Sequence, residues 1–125
     1  MATKVGINGF GRIGRNVFKL LLENPEFGCE VINDLTDPKT LAHLLKYDST
    51  NGVFKGTVTS TEDSIVVNGN TTRIYKEKDP TNIPWGKHGV ELVLESTGVF
   101  TSKEKCMMHI TAGAKKVLLT VPPKD

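Results

Sequence analysis

No apolar stretch in this chain approaches the ~18 residues a membrane-spanning helix needs, so a bilayer segment is not expected. Cysteine is scarce too. Cys29 and Cys106 stand far apart without a C-x-x-C context, which argues against a disulfide framework or a zinc cluster and makes the cytoplasm the expected location. The opening Ala2-Thr3-Lys4 is polar, and no signal peptide is expected. Without one, the glycosylation pattern Asn70-Thr71-Thr72 reads as a hairpin turn. There is no long basic run, and 16 Lys and Arg against 14 Asp and Glu leave a net charge of +2. That balance argues against a dedicated nucleic-acid or membrane-surface protein. A G-x-S-x-G elbow, H-E-x-x-H and an EF-hand loop are all missing. No nucleophile comes with its own base, so neither catalytic residues nor a metal site is expected.

What is present fits one globular domain with a real core: 125 residues, 38% hydrophobic and 24% charged. The chain is organised around Lys4 to Arg15. Val5 and Ile7 belong to a short apolar strand ending at Asn8. Gly9, Gly11 and Gly14 follow in G-x-G-x-x-G order. Then comes a helical pattern with Ile13, Val17, Leu20 and Leu21 as its apolar face. Gly9 suits a sharp turn off the strand. Gly11 leaves its backbone open to a pyrophosphate, and Gly14 allows helix and strand to pack closely. The helix start then offers unpaired N–H groups to an anion. A P-loop is excluded, because Arg15-Asn16 stands where Lys-Ser/Thr is needed. Asp34, 20 residues after Gly14, ends a second strand at Glu30-Val31-Ile32-Asn33. A carboxylate there can accept from both hydroxyls of an adenosine ribose, which marks a dinucleotide site.

The remaining pattern predicts a doubly wound, mostly parallel α/β sheet of Rossmann type with an inserted antiparallel meander. Strands are expected at Thr3–Asn8 and Cys29–Asn33, then the meander at 56–60, 64–68 and 72–76, then Val90–Glu95 and Lys116–Thr120. Helices are expected at 11–23, at 40–47 behind the Asp37-Pro38 start, and at 103–112. The break at Asp48–Gly52 separates the second helix from the meander. Thr101 and Glu104 form a capping box, and Gly113 is the C-cap. Trp85 reads as a packing anchor, His43 as structural or surface, and His88 as solvated. Cys106 and His109 form an i, i+3 pair, but a nucleophile on a helix flank would be remote from the strand ends. Ser96-Thr97-Gly98 ends a strand, where small hydroxyls and a glycine suit a cofactor.

Several blocks, in order, resemble phosphorylating glyceraldehyde-3-phosphate dehydrogenase. They are Val5 to Arg15, Asn33-Asp34-Leu35, Leu45 to Gly52, Asp79-Pro80 with Ile83 to Gly86, Ser96 to Phe100, and His109 to Val117. The resemblance covers essentially the whole chain and implies NAD as cofactor. Its cofactor-binding set would be Gly9, Phe10, Gly11, Arg12, Ile13, Gly14, Asn33, Asp34, Lys78, Thr97, Gly98, Phe100 and Thr120. Arg12 and Ile13 would meet the pyrophosphate through their backbone, and Asp34 would disfavour a 2′-phosphate. Lys78 stands near the adenine end, where the family often has arginine. Thr97, Gly98 and Phe100 would line the middle and nicotinamide side, and Thr120 the nicotinamide end. Val121-Pro122-Pro123-Lys124-Asp125 departs from the family's pattern by losing a serine.

The family's catalytic cysteine, general-base histidine, phosphate sites and most of its subunit interface would lie beyond residue 125. Residues 1–125 are therefore expected to be one truncated NAD-binding domain, inactive alone. The parent would be a homotetramer acting on a sugar-phosphate aldehyde and using phosphate. A standalone dinucleotide-binding or interaction module, or part of erythrose-4-phosphate dehydrogenase, are the alternatives.

Overall fold

The computed structural model describes residues 3–47, 56–97 and 103–119. Gly98, Phe100 and Thr120, the Asp48–Gly52 break, Thr101 of the expected capping box and Val121–Asp125 lie outside these. The described elements run β1 (Thr3–Asn8), α1 (Arg12–Leu22), β2 (Phe27–Asn33), α2 (Pro38–Lys46), β3 (Val58–Ser60), β4 (Ser64–Val67), β5 (Asn70–Tyr75), β6 (Leu92–Glu95), α3 (Lys103–Thr111) and β7 (Lys116–Leu119). They form a seven-stranded sheet in the order β3-β4-β5-β2-β1-β6-β7. β5, β2, β1, β6 and β7 are mutually parallel, while β3, β4 and β5 pair antiparallel. The meander therefore belongs to the same sheet, and β5 closes it while serving as the third parallel strand. An Asn-Gly turn makes this tight: Asn68 (φ 52°) and Gly69 (φ 85°) join Val67 to Asn70 in the two-residue hairpin that such φ values allow.

Alternation along the strands divides the core into two faces. Val5, Ile7, Ile32, Ile74 and Leu94 pack with Phe18 of α1 and Leu41 and Leu45 of α2. On the other face, Val31 and Val93 pack with Ile83, Trp85, Val90 and Ala114. Trp85 is fully buried, as its anchoring role requires. Gly6 makes room for it, since a Cβ there would collide with the indole ring.

The packing face of α1 differs from the expected one. Gly14 and Phe18 are buried and Val17, Leu21 and Leu22 pack beside them, while Ile13 and Leu20 are 42% and 65% exposed. The closest approach is made by Gly14, whose Cβ would collide with the Gly9 carbonyl oxygen. That contact turns the helix by about one residue from the orientation a count of large apolar side chains suggests.

α2 begins as its sequence predicts, with the Asp37 carboxylate accepting from the Thr40 N–H at 2.9 Å and Pro38 in the first turn. α3 closes through Gly113 (φ 115°): its N–H donates to the Ile110 carbonyl at 3.0 Å, and the Ala114 N–H to that of His109 at 3.0 Å. These are the paired bonds of a Schellman ending.

Candidate functional site

The chain passes from β1 to β2 and β5 on one side, then returns to β6 and β7 on the other. β1 is thus the switch point, where parallel sheets bind ligands beyond the carboxyl ends of their strands. A cleft of about 470 Å³ lies there, walled by Asn8, Gly9, Gly11, Asn33, Asp34, Leu35, Glu77, Lys78, Ser96 and Thr97. A second cavity, of about 380 Å³, lies at the opposite ends of β2 and β5 and is lined by Phe27, Cys29 and Thr72 among others. Desolvation, and secondarily the Glu30 carboxylate, push the Cys29 thiol well above its ordinary pKa, so it is no ready nucleophile.

The glycine turn is shaped from within. The Gly9 N–H donates to the Asn33 carbonyl at 2.8 Å, and the Phe10 N–H to Asp34 Oδ2 at 2.7 Å. Gly9 has φ 94°, and a Cβ there would stand 2.7 Å from Thr97 Cγ2. A Cβ on Gly11 would meet nothing within 4 Å, so its backbone faces open space. The first helical bond runs from the Arg15 N–H to the Gly11 carbonyl at 2.9 Å. The N–H groups of Arg12, Ile13 and Gly14 precede that ladder, and the first turn of α1 carries no acidic residue. A dinucleotide fits this cradle on chemical grounds: an open backbone, a helix start and a carboxylate on the adjoining strand.

Asp34 sits between the turn and the cleft. Its Oδ1 accepts from the Thr36 N–H at 3.0 Å, so a backbone donor fixes each oxygen. Each oxygen retains a further acceptor site. Phe10 contributes otherwise than through its side chain. Its ring is buried, edge-on to Phe18 at 5.5 Å between centroids. Asn33 acts as a clamp: its Nδ2 donates to the Glu77 carbonyl at 2.9 Å, and its Oδ1 accepts from the Glu77 N–H at 2.9 Å. That joins the segment after β5 to the end of β2, with Lys78 exposed beside it.

Beneath the cleft runs a polar row that sequence reasoning missed. Glu95, Asn8 and Asn33 are register neighbours across β6, β1 and β2. Asn33 Nδ2 donates to Asn8 Oδ1 at 2.8 Å, and Asn8 Nδ2 to Glu95 Oε1 at 2.7 Å. His109 Nε2 lies 2.7 Å from the same Glu95 oxygen, and Trp85 Nε1 donates to His109 Nδ1 at 3.1 Å. Glu95 Oε2 accepts from the Thr97 N–H at 3.0 Å and from its hydroxyl at 2.6 Å. Trp85, Glu95 and His109 are wholly buried. Indole can only donate, so His109 Nδ1 is an acceptor and the ring is the neutral tautomer carrying its proton on Nε2. Desolvation pushes the Glu95 carboxyl up, but the bonds from His109, Thr97 and Asn8 together hold it below its ordinary pKa.

Both ring nitrogens of His109 are thus engaged in this row. Cys106, its expected neighbour on the helix, has a side chain outside the described residues. His88 departs from its solvated reading: it is half-buried, with Nε2 2.7 Å from the Tyr75 hydroxyl. His43 is exposed, as read. No signal in the sequence marks Glu95, because Glu91 shares its strand parity and is exposed. Among the described residues no group of three or more His, Cys, Asp or Glu converges to hold a metal, and no helix is long and apolar enough to cross a membrane.

The family model described as glyceraldehyde 3-phosphate dehydrogenase, NAD binding domain, matches residues 3–103. The glyceraldehyde-3-phosphate dehydrogenase of Geobacillus stearothermophilus is 53% identical over 125 residues, covering 100% of this chain and 37% of that protein. That of Borreliella burgdorferi is 57% identical over 129 residues, covering 98% and 38%. Glyceraldehyde-3-phosphate dehydrogenase 1 of Bacillus subtilis is 52% identical over 125 residues, covering 100% and 37%. The chain thus spans little more than a third of the length of these relatives.

Proposed function

The chain belongs to the glyceraldehyde 3-phosphate dehydrogenase family through that family's NAD-binding domain, and from that premise we propose which residues hold NAD and what the chain contributes. Its cofactor is NAD. The first-turn N–H groups of Arg12 and Ile13, above the open backbone of Gly11, receive the pyrophosphate. Asp34 receives the adenosine ribose, and its charge repels a 2′-phosphate. Lys78 and Leu35 border the adenine end. Thr97, with Gly98, Phe100 and Thr120, lines the way to the nicotinamide. NAD supplies the hydride acceptor when bound. Gly9, Phe10, Gly14 and Asn33 act from behind by fixing the turn and the segment after β5.

The whole protein is then a glycolytic enzyme. It converts glyceraldehyde 3-phosphate, NAD and phosphate to 1,3-bisphosphoglycerate and NADH, as a cytoplasmic homotetramer. Residues 1–125 form one binding domain that orients the cofactor and provides no covalent chemistry. The observation that carries this reading is the Asp34 carboxylate, pinned by Phe10 and Thr36 at the end of β2 beside an open helix start. Calorimetry tests it. The chain should bind NAD at least about tenfold more tightly than NADP, and Asp34→Ala should erase most of that preference. Equal affinity of the unaltered chain for both would overturn the Asp34 assignment. NADH formation from the aldehyde by the purified chain would overturn the assignment of chemistry elsewhere.

A further inference from the structure

We propose that Glu95 is a positioning residue for the cofactor cleft, acting on the bound dinucleotide through Thr97. The inference rests on the NAD reading and extends it to a residue absent from the cleft wall. Among the described residues, four bonds converge on the Glu95 carboxylate from neutral donors: the Asn8 amide, the His109 imidazole, and the Thr97 N–H and hydroxyl. A fully buried charge met by such donors is a costly way to stabilise a fold, since an apolar side chain of similar size would avoid the desolvation. What the carboxylate provides is geometry. Oε2 holds both the backbone and the side chain of Thr97, at 3.0 and 2.6 Å.

Thr97 in turn forms the wall against which Gly9 must remain a glycine, since a Cβ there would stand only 2.7 Å from Thr97 Cγ2. Oε1 ties the same carboxylate to the end of β1 through Asn8, and to α3 through His109. The Trp85 N–H fixes the histidine tautomer, so His109 Nε2 always presents a proton to Glu95. Glu95 thus sets the distance between the glycine turn and the strand end of β6, the two sides of the cleft that a dinucleotide must bridge. Asp34 lies across β1 from Thr97, at the end of β2, with its own backbone anchors. On the NAD reading the adenosine half meets Asp34 and the nicotinamide half passes Thr97, so AMP carries only the part of the ligand that Thr97 does not border.

The test is calorimetric titration of the unaltered chain and of Glu95→Gln, each with NAD and with AMP, after far-UV circular dichroism has established folding. The amide oxygen can replace only one of the two carboxylate oxygens, so either Thr97 or the Asn8 and His109 side loses its acceptor and the tie between the glycine turn and the end of β6 is broken. NAD affinity should fall about tenfold or more and AMP affinity by less than about threefold. If Glu95→Gln does not fold, Glu95→Asp keeps the charge but shortens the side chain by one methylene and withdraws the carboxylate from Thr97, and the same split is expected of it. Equal losses for NAD and AMP, or no loss for either, would mean that Glu95 serves the fold alone and would overturn the inference. Failure of the unaltered chain to bind NAD would overturn the cofactor reading, and this inference with it.

Discussion

Gly9 and Gly11 stand two positions apart and make opposite demands. Gly9 needs its hydrogen because φ is 94° and Thr97 crowds the space a Cβ would fill. Gly9→Ala should therefore destabilise the chain by about 1–3 kcal/mol. Gly11 has an ordinary φ and open space around it. Gly11→Ala should lose less than about 1 kcal/mol of stability, yet weaken NAD at least about tenfold by occupying the pyrophosphate approach. Thermal unfolding and calorimetry on the two variants separate these roles. A large stability loss in Gly11→Ala with unchanged NAD affinity would reverse the assignment.

At the scale of elements, α1 carries a clear test of its orientation. Phe18 is buried edge-on to Phe10, and Phe18→Ala should cost about 3–5 kcal/mol. Leu20→Gln should change stability by no more than about 0.5 kcal/mol, because that side chain is 65% exposed. Urea unfolding decides between this face and the one through Ile13 and Leu20. The strands, helices and glycine turn were legible in the sequence because periodicity, caps and turn chemistry are local. The rotation of α1 was not, although Gly14 marks a close helix–strand contact, because counting large apolar side chains gives a glycine no weight in placing the face. Nor was the Glu95 row. Asn8, Asn33 and Glu95 become neighbours only when three strands from distant parts of the chain align in register. The expected meander was legible as three strands, but its membership in the parallel sheet depends on the β2–β5 pairing, which no turn signal encodes.

For the whole molecule, two buried or half-buried groups contribute to the response to acid with the same sign, as do the exposed Asp37 and Asp79 carboxylates, each held below its ordinary pKa by bonds from a threonine. The folded chain holds the Glu95 carboxyl below 4.5, so its stabilisation is complete above that pH and is lost as pH falls through the folded value. Desolvation, then Lys87 and Arg73, hold the His88 imidazole below 6.5. The unfolded chain therefore takes up that proton first, and stability falls as pH drops from 6.5 toward the folded value. The urea midpoint should be flat near neutrality, decline from about pH 6.5, and fall further below about 4.5. His88→Gln should flatten the upper part of that decline and leave the lower part. A midpoint that rises on acidification would contradict both assignments.

Trp85 is the only tryptophan in the chain. Its indole fills the space beside Gly6, is fully shielded from solvent, and hands its N–H to His109, which in turn meets Glu95. Tryptophan fluorescence of this chain therefore comes from one dry, hydrogen-bonded ring, two contacts away from the floor of the cofactor cleft. The emission is in effect a label already installed at the junction of β1, β6 and α3, and its wavelength reports on that junction rather than on an average over the molecule.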